Sequence, residues 1–279
     1  MLPLLIVIAL ALFVAERLWP AREQPRVTNW WARVIFVNTI QLGIIILAGY
    51  SWDRWLQESS LLSLRDHLPV LAQGVVAYVF STFVYYWWHR WRHESAWFWR
   101  ICHQLHHSPR RIELVTSFYK HPVEITINSM LSAGIVYLLL GCSVEAGAIY
   151  TFLTAGAEYF YHLNLRTPHW VGYFIQRPES HRIHHQYQHH TQNFADLPVW
   201  DALFGTFRNP RPRTEPSHCG YDEWREDRFD DMLAFRDVNA TDAETRTPLH
   251  LLPTCIGCSK RWVCTQHAAP PPGESPSAK

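Results

Sequence analysis

The sequence predicts an all-α integral membrane protein: four to five transmembrane helices beneath a cytoplasmic helical cap that carries a di-metal histidine site. Three observations make the prediction. Apolar residues are 48% and aromatic residues 14% of the 279, yet the long apolar runs all fall in residues 1–163. Of 17 histidines, 13 lie between His89 and His190, most of them at helical spacing. Of 25 Lys and Arg, 23 lie in segments that one membrane topology places on the same side. A formal net charge of +1 excludes a nucleic-acid binder that works by bulk positive charge.

The elements follow from the apolar runs. Leu2–Trp19, Ala32–Tyr50 and Val70–Trp88 approach the roughly 20 apolar residues that cross a bilayer core. Ile125–Leu140 and Ala146–Leu163 are shorter, joined by Gly141-Cys142-Ser143, and either cross a locally thinned bilayer or dip partway. The first run lacks a basic leader and a small-residue cleavage site, so it reads as a helix rather than a signal peptide. If all five cross, residues 17–33, 89–124 and everything after His162 share one face, and only Arg54 and Arg65 lie opposite. By the positive-inside rule that basic face is cytoplasmic. Trp87, Trp88, Trp91, Trp97 and Trp99 crowd the end of the third helix as an interfacial belt does. The chain divides into amino-terminal membrane helices (1–69), a histidine-rich unit (70–207) and a polar extension (208–279) whose end, rich in Pro and Ser, has the composition of a disordered tail.

Three histidine clusters carry the chemistry. His89-x3-His93 continues the third helix, His103-x2-His106-His107 follows ten residues later, and His181-x2-His184-His185 comes after the last helix. Residues i, i+3 and i+4 share a helix face, and neutral imidazole suits iron, zinc and copper. A lone HxxxH is ordinary surface decoration. Eight histidines in three such clusters, all at one membrane face, are too many for one ion and about right for two. A transporter would need metal-binding groups inside the helices, and 34–50 and 70–86 contain no His, Asp or Glu. A haem carrier needs paired histidines on facing helices, and a zinc protease needs His-Glu-x-x-His, which is absent. A non-catalytic membrane metal-binding protein remains the alternative of a different class.

These boxes resemble those of the fatty acid hydroxylase/sterol desaturase superfamily. Lys120-His121-Pro122-Val123-Glu124, Tyr161-His162-Leu163-Asn164, Asn193 and Trp200-Asp201-Ala202-Leu203-Phe204-Gly205-Thr206 add to the likeness, which covers about Val70 to Phe207. The resemblance implies two iron ions, replaceable by zinc, and O2 as co-substrate in the hydroxylation of a fatty acyl, sterol or related lipid C–H bond, or in its desaturation. It implies metal ligation by His89, His93, His103, His106, His107, His181, His184 and His185, with His162 as a ninth ligand. Glu158, where some fatty acid hydroxylases have histidine, is a departure: a carboxylate ligand, a hydrogen-bond partner or an interfacial charge. Glu124, Asp196 and Asp201 are candidates to accept from the outer ring nitrogens. His121, held by Pro122, reads as structural or as a neighbour of the ligands, and His169, His189 and His190 as solvated loop. No haem or flavin motif occurs, so electrons are expected from a separate ferredoxin, cytochrome b5 or reductase. The absence of an ER retrieval signal favours a bacterial inner membrane. Cys102 and Cys142 read as small buried thiols, and Cys255, Cys258, Cys264 and His267 as a possible zinc set.

Overall fold

A computed structural model describes residues 1–187, 189–211 and 218–239. Cys255, Cys258, Cys264 and His267 lie outside the described residues. Among the described residues the chain is helical, with no strand and one isolated bridge between Gln186 and Cys219.

The long helices are α1 (Leu2–Leu18), α2 (Trp30–Tyr50) with the short α3 (Trp52–Gln57) after it, and α4 (Val70–Glu94). At 1.5 Å per residue, the 25 residues of α4 reach roughly 37 Å, longer than a ~30 Å hydrocarbon core. Its last turns carry His89 and His93. The chain turns back through α5 (Ala96–Phe98), a wider π turn Trp99–His103, and α6 (Gln104–His107). Next come α7 (Pro122–Ala133), running on through a π segment Gly134–Leu139, and α8 (Val144–His162). Pro122 opens α7, and the Ser143 hydroxyl caps α8 by accepting from the Ala146 N–H at 3.2 Å. The cap is completed by α9 (Pro178–His184), α10 (Pro198–Leu203), α11 (Glu223–Glu226) and α12 (Phe229–Leu233).

Among the described residues, three helices are long and apolar enough to cross a membrane: Trp30–Gln57, Val70–Glu94 and Pro122–Leu139. The sequence predicts four to five. Helix α1 stops at 17 residues, and α8 carries Glu145, Thr151, Thr154 and Glu158 among its apolar residues. The apolar faces of α1, α2 and α4 are exposed at Leu4, Val7, Leu10, Ile35, Leu42, Ile46, Leu71 and Val75, as lipid-facing surfaces are. Helices α4 and α8 pack closely because position 74 is glycine; a Cβ there would stand 2.7 Å from the Ile149 Cβ.

Hydrogen bonds sort the loops to two ends. Arg65 donates its N–H to the Gly141 carbonyl at 3.1 Å, joining the 58–66 and 140–143 loops at one end. At the other, the buried Glu16 carboxylate accepts from the Leu114 and Asn164 N–H groups at 3.0 and 3.1 Å, and the Trp30 indole donates to Glu113 at 2.8 Å. That end is the histidine cap. Residues 218–239, within the polar extension, pack onto it: Tyr221, Met232 and Val238 share a buried cluster with Trp30, Trp99, Leu105 and Tyr119.

Candidate metal centre

Nine histidines converge in the cap as two groups. His89, His93, His103, His107 and His184 form one, and His106, His162, His181 and His185 the other; within each, one ligand atom per residue lies within 4.8 Å of all the rest. All but His89 are buried.

The boxes do not each serve one group. The i, i+4 pairs stay together, His89 with His93, His103 with His107, and His181 with His185, while the i+3 residue of each HxxHH joins the other group. Successive residues on a helix point about 100° apart, so His106 and His107 diverge, as do His184 and His185. The expectation that i, i+3 and i+4 share a site is thus corrected. Each HxxHH box straddles both.

The ring nitrogens identify what the groups are built for. His89 Nδ1 donates to the Phe194 carbonyl at 2.7 Å, His184 Nδ1 to Gln192 at 2.8 Å, His162 Nδ1 to Glu158 at 2.9 Å and His106 Nδ1 to Tyr119 at 3.3 Å. A carbonyl only accepts, so each Nδ1 holds the proton and each Nε2 presents a bare lone pair. His103 is set the same way by the Glu124 carboxylate at 3.2 Å. Yet His89 Nε2 faces His103 Nε2 at 3.0 Å. Two lone pairs at that distance repel unless a cation lies between them. In the other group His162 Nε2 lies 3.0 Å from His181 Nε2, the same spacing. Nitrogens at ~2.1 Å from one ion and at right angles to each other are about 3.0 Å apart, which is the spacing seen. His184 Nε2, buried, has no hydrogen-bond partner among the described residues. The donor set fits one metal ion in each group.

Burial keeps these rings neutral. His103, His106, His107, His181 and His185 are held well below the usual imidazole range by loss of water first and by the crowding of imidazoles, with Arg92 and Lys120 adding at His103 and Lys120 at His106, and His184 is brought down to about 3.

Of the five candidates outside the boxes, Glu124 alone meets a box ring directly, and it also pairs with Arg92. Most of the ring-orienting acceptors are backbone carbonyls instead. Asp201 accepts from the Phe194 and Ala195 N–H groups at 2.8 and 3.0 Å and from the Thr206 hydroxyl at 2.7 Å. It therefore fixes the loop whose carbonyl orients His89, rather than a ring. Asp196 meets Tyr161, whose ring lies against His162 and His181. Glu158 is no part of either histidine group; its carboxylate pairs with Lys120. His121 caps α7, its Nδ1 accepting from the Val123 N–H at 3.1 Å. His190, expected in solvated loop, is buried, stacked on Trp99 at 5.0 Å and 4.6 Å from the His107 ring. His169 and His189 stay at the half-buried edge. Spacing gave no signal for the carbonyl partners, for Arg92 or for His190.

A cavity of about 310 Å³ opens from His89, His103, His106 and His181 toward the membrane helices. Lys120, Glu158, Tyr161 and Asp196 line its metal end, and Ile45, Ala48, Ile125, Ala133 and Val136 its deeper wall.

The fatty acid hydroxylase family model matches residues 74–206, the stretch that holds all nine histidines. The ornithine lipid hydroxylase of Rhizobium tropici is 30% identical over 161 residues, 56% of this chain and 47% of that protein. The Delta(7)-sterol 5(6)-desaturase of Gibberella zeae is 28% identical over 174 residues, 61% of this chain and 47% of that protein. The alkylglycerol monooxygenase of Homo sapiens is 28% identical over 137 residues, 47% of this chain and 29% of that protein. The chain thus spans about half or less of the length of these relatives. No solved structure matches it.

Proposed function

The chain belongs to the fatty acid hydroxylase/sterol desaturase superfamily, and from that premise we propose that it is an O2-dependent di-iron lipid hydroxylase. The observation that carries the reading is the pair of histidine groups, five and four, with the bare Nε2 lone pairs of His89 and His103 facing one another. Iron held there supplies the redox chemistry that puts one atom of O2 into a C–H bond. The chain's own residues do the rest. Carbonyls of Phe194, Gln192, Glu158 and Tyr119 hold the rings in one tautomer. Burial excludes water, and the cavity brings a lipid from the bilayer to the histidines.

Hydroxylation consumes a C–H bond, O2, two electrons and two protons, and yields an alcohol and water. The electrons come from a separate donor of the ferredoxin, cytochrome b5 or reductase kind. We place the cap on the cytoplasmic face because, among the described residues, the Lys and Arg gather at that end, with Arg54 and Arg65 at the other. Helices α1 and α8 then complete five crossings.

Desaturation is the second reading, favoured by the sterol desaturase relative. The test is turnover of a lipid extract by the iron-loaded protein with a reductant and 18O2. Hydroxylation gives product heavier by one labelled oxygen; an alkene lighter by two hydrogens, without label, replaces it with desaturation. Two bound, reducible irons with no O2-dependent lipid change would overturn both in favour of a non-catalytic metal protein.

A further inference from the structure

One wall of the cavity is charged in a way that the metal centre does not use. Glu158 and Asp196 both line it beside His181, against the single ammonium of Lys120. Lys120 pairs with Glu158. Arg92, the other cation at this end, is occupied by Glu124. Asp196 is left with the Tyr161 hydroxyl, and burial together with the charge of Glu158 pushes its carboxyl up to about 7. Two carboxylates against one ammonium make this half-buried wall net negative on the protein side, and they leave Asp196 free to accept from the cation of a ligand. A plain hydrocarbon chain offers this wall nothing.

We propose that the substrate is a lipid bearing a cationic amine, held with its ammonium group between the carboxylates of Glu158 and Asp196 and its alkyl chain along the deeper wall of the cavity. Glu158 stands one helical turn before His162, so the carbons next to the amine come to lie against the four-histidine group. Ile45, Ile125 and Val136 give the chain apolar contacts within a lining that also holds Gln41, Asn128 and Ser132. Position of attack follows: oxidation falls near the amine end, and the far methyl end stays untouched. That last point rests on the oxygenase reading, whereas the amine site does not.

Binding separates the two. Zinc-loaded protein in detergent is titrated with hexadecylamine, N-acetylhexadecylamine and hexadecanoic acid, and occupancy and metal content are read together by native mass spectrometry. The amine should bind about tenfold more tightly than its acetylated form, the scale of one hydrogen bond to a charged group. Glu158→Gln and Asp196→Asn should each erase that preference while two zinc ions per chain remain. Equal binding of amine and acetyl lipid, or a preference that survives both substitutions, would overturn the proposal. So would loss of zinc in E158Q, which would make Glu158 a ligand. Amine preference without any O2-dependent product would sink the oxygenase reading alone, and oxidation confined to lipids without an amine would sink the amine site alone.

Discussion

His184 donates one nitrogen to the Gln192 carbonyl and keeps the other bare among four neighbouring imidazoles, and that arrangement sets how the protein answers to acid. In the unfolded chain each histidine titrates near 6.5. In the fold His184 is held to about 3, and His103, His106, His107, His181 and His185 well below their usual range. The unfolded state thus takes up more protons below about 6.5, so these rings stabilise the fold fully above that pH and lose their contribution as pH falls toward 3. Asp196 and Asp201, raised to about 7 and about 6, act with the opposite sign. Six rings outweigh two carboxyls. The metal-free protein should therefore melt at a lower temperature as pH drops from about 7.5 to about 5, followed by tryptophan fluorescence; a flat or rising profile would contradict the buried neutral rings. The eight box histidines were legible because a repeated residue at helical spacing is rare by chance. Their acceptors were not, since any residue supplies a carbonyl. Asp201 was expected to accept from a ring nitrogen; it holds the 193–206 loop instead, through long-range folding that spacing does not encode.

At the scale of elements, the third sequence helix was legible from its apolar run, and its extension past Trp88 followed from the histidines that continue its period. The membrane count was less legible, because α8 mixes the apolar residues of a span with the polar residues of a cavity wall, and hydropathy averages the two. Helix α8, which carries Glu158 and His162, lies tightly against α4 at Gly74. Gly74→Val forces Ile149 away and separates the helices, at a cost of about 1–3 kcal/mol for an overpacked contact. The variant should lose thermal stability and part of its metal. Gly43, with nothing within 4 Å of a Cβ, provides the control: Gly43→Val should match the parent in both measurements. Equal behaviour of the two variants would mean that the α4–α8 contact does not hold the centre together.

For the molecule as a whole, the nine candidate ligands are only part of what makes the centre. All of them lie before residue 186, yet the cap core that backs them is closed by Trp30 from one side and by Tyr221, Met232 and Val238 from the other. Gln104, beside His103, donates to the Arg236 carbonyl at 2.7 Å, and Gly220 donates its N–H to the His185 carbonyl at 3.0 Å. A chain ended after Phe207 keeps every candidate ligand but loses this closure, including side chains whose burial contributes roughly 1.5–3 kcal/mol each. It should insert into the membrane, release metal on dialysis against a chelator, and be cut by trypsin within 90–111. Full metal retention by the truncated chain would show that the closure is dispensable. Nothing in the composition of 208–239 announced this role, because its few apolar residues are spaced irregularly between charges.

The same closure imposes an order on biosynthesis. During translation His89 and His93 leave the ribosome more than a hundred residues before Tyr221 and Met232, which close the cap core beside Trp99 and Leu105. Throughout that interval the early histidines face solvent, able to pick up any available cation but unable to keep it in a finished shell. Metal selection therefore belongs to the end of synthesis, when the helices are already in the bilayer and the last segment folds down. Which ion is sealed in is decided by what the surrounding compartment offers at that moment.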